Sequence, residues 1–298
     1  MAPIVQRQGY CRVEWLAFQP SQGAIMSDQG IVLSLFGRSD EGKGRHKNED
    51  TFVVSDFTET TPINAMISHM SLAVGPRGVL IAVSDGMGGA RAGEVASSLA
   101  LDALQRGLST VEASSADVAL RASVEDANQR VFENARATAR DGMGATLTAV
   151  LFHGVHASIA EIGDSRAYRL RGNSMVQLTH DQTYVQELID AGALTARQAE
   201  DSDFKSVIMQ AMGLGSDIVV AMSRVSVQNK DLFLVCSDGL SGAVSDDMMR
   251  ALIADSATLE LACARLVETA VELGSEDDIT VVLVEVGGDG APGTSPPS

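Results

Sequence analysis

Apolar residues along this chain follow two patterns. Short continuous runs, many of them β-branched, occur at Ile31 to Phe36, Thr51 to Val54, Val79 to Val83, Ala145 to Phe152, Val155 to Ile162, Arg166 to Leu170, Ile218 to Val227, Asp231 to Cys236 and Ile279 to Val286, and these predict strands. Several lack a polar face altogether, as expected of strands covered on both sides. Elsewhere apolar residues recur at helical spacing: Ala92, Val95, Ala96, Leu99, Ala103 and Leu104; Ala122, Val124, Ala127, Val131 and Ala135; and Leu259, Ala262, Cys263, Leu266, Val267, Ala270 and Val271. A shorter helix is predicted over Asp246 to Ala254, and Gly274 reads as the stop of the helix before the last strand.

Strands, then two helices, then strands, then helices and a final strand is an α+β order, not an alternating βαβ one. Amphipathic helices need a sheet to cover, so the sheets are expected to be sandwiched. From Asp181 to Met212 the chain is polar with short helical pieces, Tyr184 to Ala191 and Ala196 to Glu200, and reads as an excursion from the sandwich, a flap. Residues 1–27 and 287–298 are rich in Gly, Pro and Ser or lack periodicity; they are expected to be an N-terminal extension and a flexible C-terminal tail around one domain at 28–286.

Composition narrows the function. With 45% apolar residues in 298, the chain can bury a full core. The 39 acidic against 22 basic residues give a net charge of −17, which speaks against a nucleic-acid partner, since phosphate backbones demand a basic footprint. Cys11, Cys236 and Cys263 are odd in number and widely spaced, so they read as free thiols in a reducing compartment, here the cytoplasm. No signal-peptide core or membrane span is evident, and a soluble monomer is expected.

The candidate chemistry lies in carboxylates placed where strands end. Val79 to Val83 runs into Ser84-Asp85-Gly86-Met87-Gly88-Gly89, Leu232 to Cys236 runs into Ser237-Asp238-Gly239, Asp277-Asp278 precedes Ile279, and Glu49-Asp50 precedes Thr51. A lone Asp-Gly is ordinarily a turn after a strand. Repeated at the mouths of strongly apolar strands, it points instead to oxygens converging on a hard divalent cation, because unpaired carboxylates near a core are costly.

The motifs, in their order, resemble those of the bacterial PPM (type 2C) metal-dependent serine/threonine protein phosphatases over roughly residues 30 to 286. They are Gly44-Arg45-His46-Lys47-Asn48-Glu49-Asp50, Asp85-Gly86-Met87-Gly88-Gly89 continuing to Gly93-Glu94-Val95-Ala96, Gly144-Ala145-Thr146-Leu147-Thr148, Ile162-Gly163-Asp164-Ser165-Arg166-Ala167-Tyr168, Ser237-Asp238-Gly239-Leu240 and Asp277-Asp278-Ile279-Thr280. The resemblance implies a four-layer α-β-β-α sandwich of two mainly antiparallel sheets. It also implies hydrolysis of phosphoserine and phosphothreonine by a metal-activated water, with Mn²⁺ or Mg²⁺ as cofactor. Carried over by position, Asp85 bridges two metals, the Gly86 carbonyl binds one, and Asp238 and Asp277 bind the other. Glu49 and Asp50 hold metal-bound waters, Asp164 with Asp238 supports a third, weaker ion, and Arg45 grips the substrate phosphate. Partners would be phosphorylated proteins, including a Ser/Thr kinase and its substrates.

Departures from the family wording are local. Asp278 stands where many members have Asn, Met87 where eukaryotic members often have His, and Asp181-Gln182-Thr183 where Asp-His-Ser is usual. The histidines show no recurring ligand spacing, with His46 and His180 the candidates for the cleft, and Cys236 reads as packing, not as a nucleophile. Two narrower alternatives remain within the same fold: a catalytically weak phosphoprotein-binding regulator, and a phosphatase acting on anti-anti-sigma-type proteins.

Overall fold

The computed structural model describes residues 30–43, 47–57, 69–88, 92–110, 115–140, 142–200 and 202–293. Residues 1–29, with Cys11, and the stretch holding Arg45 and His46 lie outside it. The strands are β1 Val32–Asp40, β2 Thr51–Asp56, β3 Met70–Ala73, β4 Val79–Ser84, β5 Gly86–Met87, β6 Gly144–Ala145, β7 Leu147–His153, β8 His156–Ile162, β9 Arg166–Arg171, β10 Ser174–Gln177, β11 Ala221–Ser226, β12 Leu232–Cys236 and β13 Ile279–Gly287. The helices are α1 Ala92–Thr110, α2 Ala116–Ala137, α3 Tyr184–Asp190, α4 Ala196–Glu200, α5 Asp238–Ser241, α6 Asp246–Ala254 and α7 Leu259–Glu272.

A six-stranded sheet, β10-β9-β12-β13-β1-β3, faces a five-stranded one, β11-β8-β7-β4-β2, and the pairings within both are antiparallel. Side-chain alternation sorts each central strand between two cores. In β13, Val282, Val284 and Val286 point between the sheets while Ile279, Val281 and Leu283 point outward under α6 and α7. In β4, Val79, Ile81 and Val83 face the other sheet, and Leu80 and Ala82 face α1 and α2. The continuous apolar runs thus fold as strands buried on both faces, and the result is the four-layer α-β-β-α sandwich.

Local signals fix the helix ends. Ser115 and Thr258 cap α2 and α7 by accepting from the Val118 and Leu261 amides at 3.4 and 3.1 Å. At the other end of α7, Gly274 takes φ +92°, its amide donates to the Val271 carbonyl at 3.1 Å, and the Ser275 amide donates to that of Ala270 at 2.9 Å. This paired closure turns the chain sharply and delivers Asp277-Asp278 to the mouth of β13. Past β13 the chain stays pinned: the Asn229 amide donates to the Pro292 carbonyl at 2.9 Å, and Ala291 packs against the inter-sheet core.

Phe152 and Phe233, one from each sheet, meet edge to face with ring centroids 5.0 Å apart in the dry centre. Phe233→Ala is therefore expected to cost about 3–5 kcal/mol in denaturant unfolding. Val176→Ala, at a position 45% exposed on the edge strand β10, should stay within about 0.5 kcal/mol. Equal costs would refute a core shared by the two sheets.

Candidate metal centre

Antiparallel pairing brings the ends of strands from both sheets to one edge. Thr51, which opens β2, pairs with Ser84, which closes β4, so Glu49-Asp50 and Asp85 lie side by side. Cys236 of β12 pairs with Val281 of β13, which sets Asp238 beside Asp277-Asp278. Arg166 of β9 also pairs with Cys236, and Asp164 sits in the tight turn between β8 and β9. The carboxylates that were scattered through the sequence therefore share one rim.

Hydroxyls hold them there. The Asp85 amide donates to Thr146 Oγ1 at 3.0 Å, the Thr146 amide returns a bond to the Asp85 carbonyl at 2.8 Å, and Ser84 Oγ donates to the Thr146 carbonyl at 2.6 Å. Thr146 Oγ1 also meets Ser165 Oγ at 2.8 Å, and Thr148 Oγ1 donates to the Ser165 carbonyl at 2.6 Å, which ties Asp85 to the Asp164 turn. Across the rim, Ser237 Oγ donates to Asp50 Oδ2 at 2.7 Å and accepts from the Thr280 amide at 2.9 Å. Asn48 Oδ1 accepts from the Asp50 amide at 2.9 Å, and Ser97 Oγ of α1 donates to the Glu49 carbonyl at 2.6 Å. Gly86 lies so close to this stretch that a Cβ there would sit 2.2 Å from the Gly93 carbonyl oxygen and 2.7 Å from that of Glu49.

The electrostatic cost of this crowding is large. Burial, then the charges of Asp50, Asp238, Asp277 and Asp164, pushes Asp85 well above the usual carboxylate range. Asp50 and Asp164 are each pushed up to about 8, first by burial, with Asp278 and Asp238 adding to Asp50, and Asp238 and Asp181 adding to Asp164. Asp50 Oδ1 is buried and has no hydrogen-bond partner among the described residues. Among those residues, no three His, Cys, Asp or Glu are already drawn in around a single ion-sized point. The rim nevertheless fits a hard cation, which would supply the missing positive charge and take an orphaned carboxylate oxygen as a ligand.

A cleft of about 650 Å³ opens from Asp164 and Asp238 between the flap and the α5–α6 turn, lined also by Arg166, Asp181, Lys205, Ser241 and Asp246. Arg166 forms its floor, donating to Asp181 at 2.5 and 2.9 Å and to the Tyr168 hydroxyl at 3.0 Å, while Tyr168 donates to Asp246 at 3.1 Å. Gln182, in the flap's changed wording, accepts from the Gly163 amide at 2.9 Å, and Thr183 caps α3.

Of the expected site residues, Glu49, Asp50, Asp85, Gly86, Asp164, Asp238 and Asp277 come to this rim, and Arg45 lies outside the described residues. The His180 ring instead pairs with Asp190 on the surface at 2.7 Å, while His153 and His156 stack at the far β7–β8 turn. Burial pushes the Cys236 thiol up to about 12, so it is no nucleophile. The hydroxyl holders Thr146 and Ser237 stood in the sequence only as unassigned members of the Gly144 to Thr148 and Ser237 to Leu240 motifs. Glu161, 2% exposed and pushed by burial to about 8, had one signal, an acid inside an apolar strand run.

Two sheets between helices with a carboxylate rim at one edge define a metal-dependent phosphatase architecture. The protein phosphatase 2C profile matches residues 69–272, and the chain belongs to that family. It is 35% identical over 257 residues to the serine/threonine protein phosphatase PstP of Mycobacterium tuberculosis, covering 86% of this chain but 45% of PstP, so it spans less than half of that relative. To the serine/threonine phosphatase stp of Listeria monocytogenes it is 32% identical over 253 residues, covering 83% of this chain and 94% of stp. The crystal structure of the PstP catalytic domain in complex with two manganese ions superposes with a TM-score of 0.71 at 32% identity, covering 86% of this chain and 99% of that one.

Raised carboxylate pKa values carry a sign. Between the unfolded value near 3.8 and about 8, the folded metal-free chain retains protons that the unfolded chain releases, so its stability falls as pH rises through that window. In EDTA the Tm is expected to drop from pH 5.5 to 8, and Mn²⁺ or Mg²⁺ should restore it at pH 8, by about 2.7 kcal/mol at a hundredfold excess over Kd. A Tm indifferent to both pH and cation would contradict a charged rim.

Proposed function

We propose that the chain hydrolyses phosphoserine and phosphothreonine in proteins with two divalent cations, Mn²⁺ or Mg²⁺, as cofactor. The observation that carries this reading is the mutual crowding of Asp50, Asp85, Asp164, Asp238 and Asp277 at one rim of the sandwich. In this proposal Asp85, the Gly86 carbonyl, Asp238 and Asp277 would hold the two cations. Glu49 and Asp50 would orient waters, and Asp164 with Asp238 would form a weaker third site. Cations so held would supply a water acidic enough to attack at neutral pH and offset charge on the phosphoryl oxygens.

The chain's own groups account for the rest. Asp50, with one oxygen engaged by Ser237, is held in place at the rim. Arg45 is the phosphate-binding group, its planar fork matching two phosphoryl oxygens. Met87 has no proton to give where eukaryotic members often carry His, so the leaving alkoxide would take its proton from water or another group. The phosphatase domain spans about residues 28 to 286, with residues 288–293 docked against it. No helix among the described residues is long and apolar enough to cross a membrane. A cytoplasmic monomer acting opposite Ser/Thr kinases is part of the same proposal.

Phosphate release from a phosphothreonine peptide, followed with EDTA, Mg²⁺ or Mn²⁺, is expected only with a cation. Asp238→Ala and Asp277→Ala should each lower kcat/KM at least about a hundredfold. Arg45→Ala should act mainly on KM, raising it about tenfold or more, with Arg45→Lys in between. A folded wild type that releases nothing with either ion would favour a phosphoprotein-binding role instead.

A further inference from the structure

We infer that Asp278, which replaces the Asn common in the family, is a positioning residue that clamps the two ends of the stretch carrying Arg45. Its side chain is 2% exposed and spans from one end of that stretch to the other. Oδ2 accepts from the Glu49 amide at 2.8 Å, and Oδ1 lies 3.5 Å from the Gly42 amide. The neighbouring Lys43 amide donates to the Ser275 carbonyl at 3.1 Å. Gly42 presses so tightly on this strand mouth that a Cβ would lie 1.9 Å from the Asp277 carbonyl oxygen. Asp278 is itself fixed, since its carbonyl accepts from Ser237 Oγ at 3.3 Å and its amide donates to Asp277 Oδ1 at 2.9 Å.

One residue therefore orients the Asp277 carboxylate through its amide and holds Gly42 and Glu49 through its two carboxylate oxygens. A carboxylate accepts at both oxygens, whereas an amide can accept at only one and presents a donor at the other. Asn at this position would keep the shorter bond to Glu49 and lose the longer contact to Gly42. The added negative charge is a cost, because it helps to raise Asp50. The gain is a fixed position for Gly42 and for the Glu49-Asp50 pair, the described residues on either side of Arg45.

This inference rests on the phosphatase reading for its catalytic meaning, and its test has an arm that does not. The full chain is compared with Asp278→Asn and Asp278→Ala, with Asp278→Ser replacing the Ala variant if that one fails to fold. Asp278→Ala is expected to raise KM for the phosphothreonine peptide and the Mn²⁺ concentration for half-maximal activity about tenfold or more, up to the hundredfold that small misplacements cause. Its kcat at saturation should fall less, and Asp278→Asn, which keeps the Glu49 bond and loses the Gly42 contact, should fall between the Ala variant and the wild type. Limited trypsin digestion, mapped by mass spectrometry, should cut Asp278→Ala first at Lys43, Arg45 or Lys47, Asp278→Asn next and the wild type last. An Asn variant equal to the wild type in both KM and digestion would leave the Gly42 contact without effect and overturn the two-ended clamp, as would equal digestion of all three proteins. A wild type inactive with every cation defeats the phosphatase reading alone, and digestion then decides the clamp.

Discussion

Carboxylates repel one another most where water is scarce, and this fold drives them together where water is scarce. Strand pairing leaves little choice: once β2 pairs with β4 and β12 with β13 in register, Asp50, Asp85, Asp238 and Asp277 must share a rim. The inter-sheet core behind them is dry and close-packed, so relaxation by backing away is not available. What remains is protonation or a cation. The stability of the sandwich and the chemistry at its edge are coupled through that choice, since the hydrophobic energy of two sheets holds in place a charge arrangement that would disperse in a looser chain.

Neutral hydroxyls make the crowding bearable. Thr146, Ser237 and Ser97 each bond a backbone or carboxylate group of the rim without adding charge, and Ser165 bonds the Thr146 hydroxyl in turn. Ser237 shows the economy best, donating to Asp50 while accepting from Thr280, so that a residue of one sheet fixes a carboxylate of the other. Removing such a hydroxyl would leave a buried acceptor unsatisfied beside groups already short of partners.

Much of this was legible in the sequence, for identifiable reasons. Central strands announce themselves because both faces are buried, and amphipathic helices because only one is. Besides the short β5 and α5, the elements that went unread are β3 and β10, the two edges of the six-stranded sheet, whose four-residue runs alternate between partly buried and exposed positions. A half-covered strand that short carries too few apolar residues to stand out from a loop. At the site, the aspartates were readable because Asp beside Gly after an apolar run is a local pattern. Thr146 and Ser237 were not, because their role is a hydrogen bond across 61 residues to Asp85 and across 187 to Asp50. Asp278 looked like extra charge beside a ligand; only the fold shows its oxygens turned to the Glu49 and Gly42 amides.

The rim also weighs on whether the chain turns over phosphoesters or merely holds phosphoproteins. A binding module needs cations to meet a phosphate, and arginine or lysine would serve at no cost to the core. Here Asp164, Asp181, Asp238 and Asp246 line the cleft against Arg166 and Lys205, and the half-buried Arg166 is already committed to Asp181. Relieving one of the crowded carboxylates is expected to stabilise the metal-free fold, because burial and like charges penalise its ionised form. Their crowding at one edge is therefore the costly feature, and the proposed metal-assisted hydrolysis would give that cost a use.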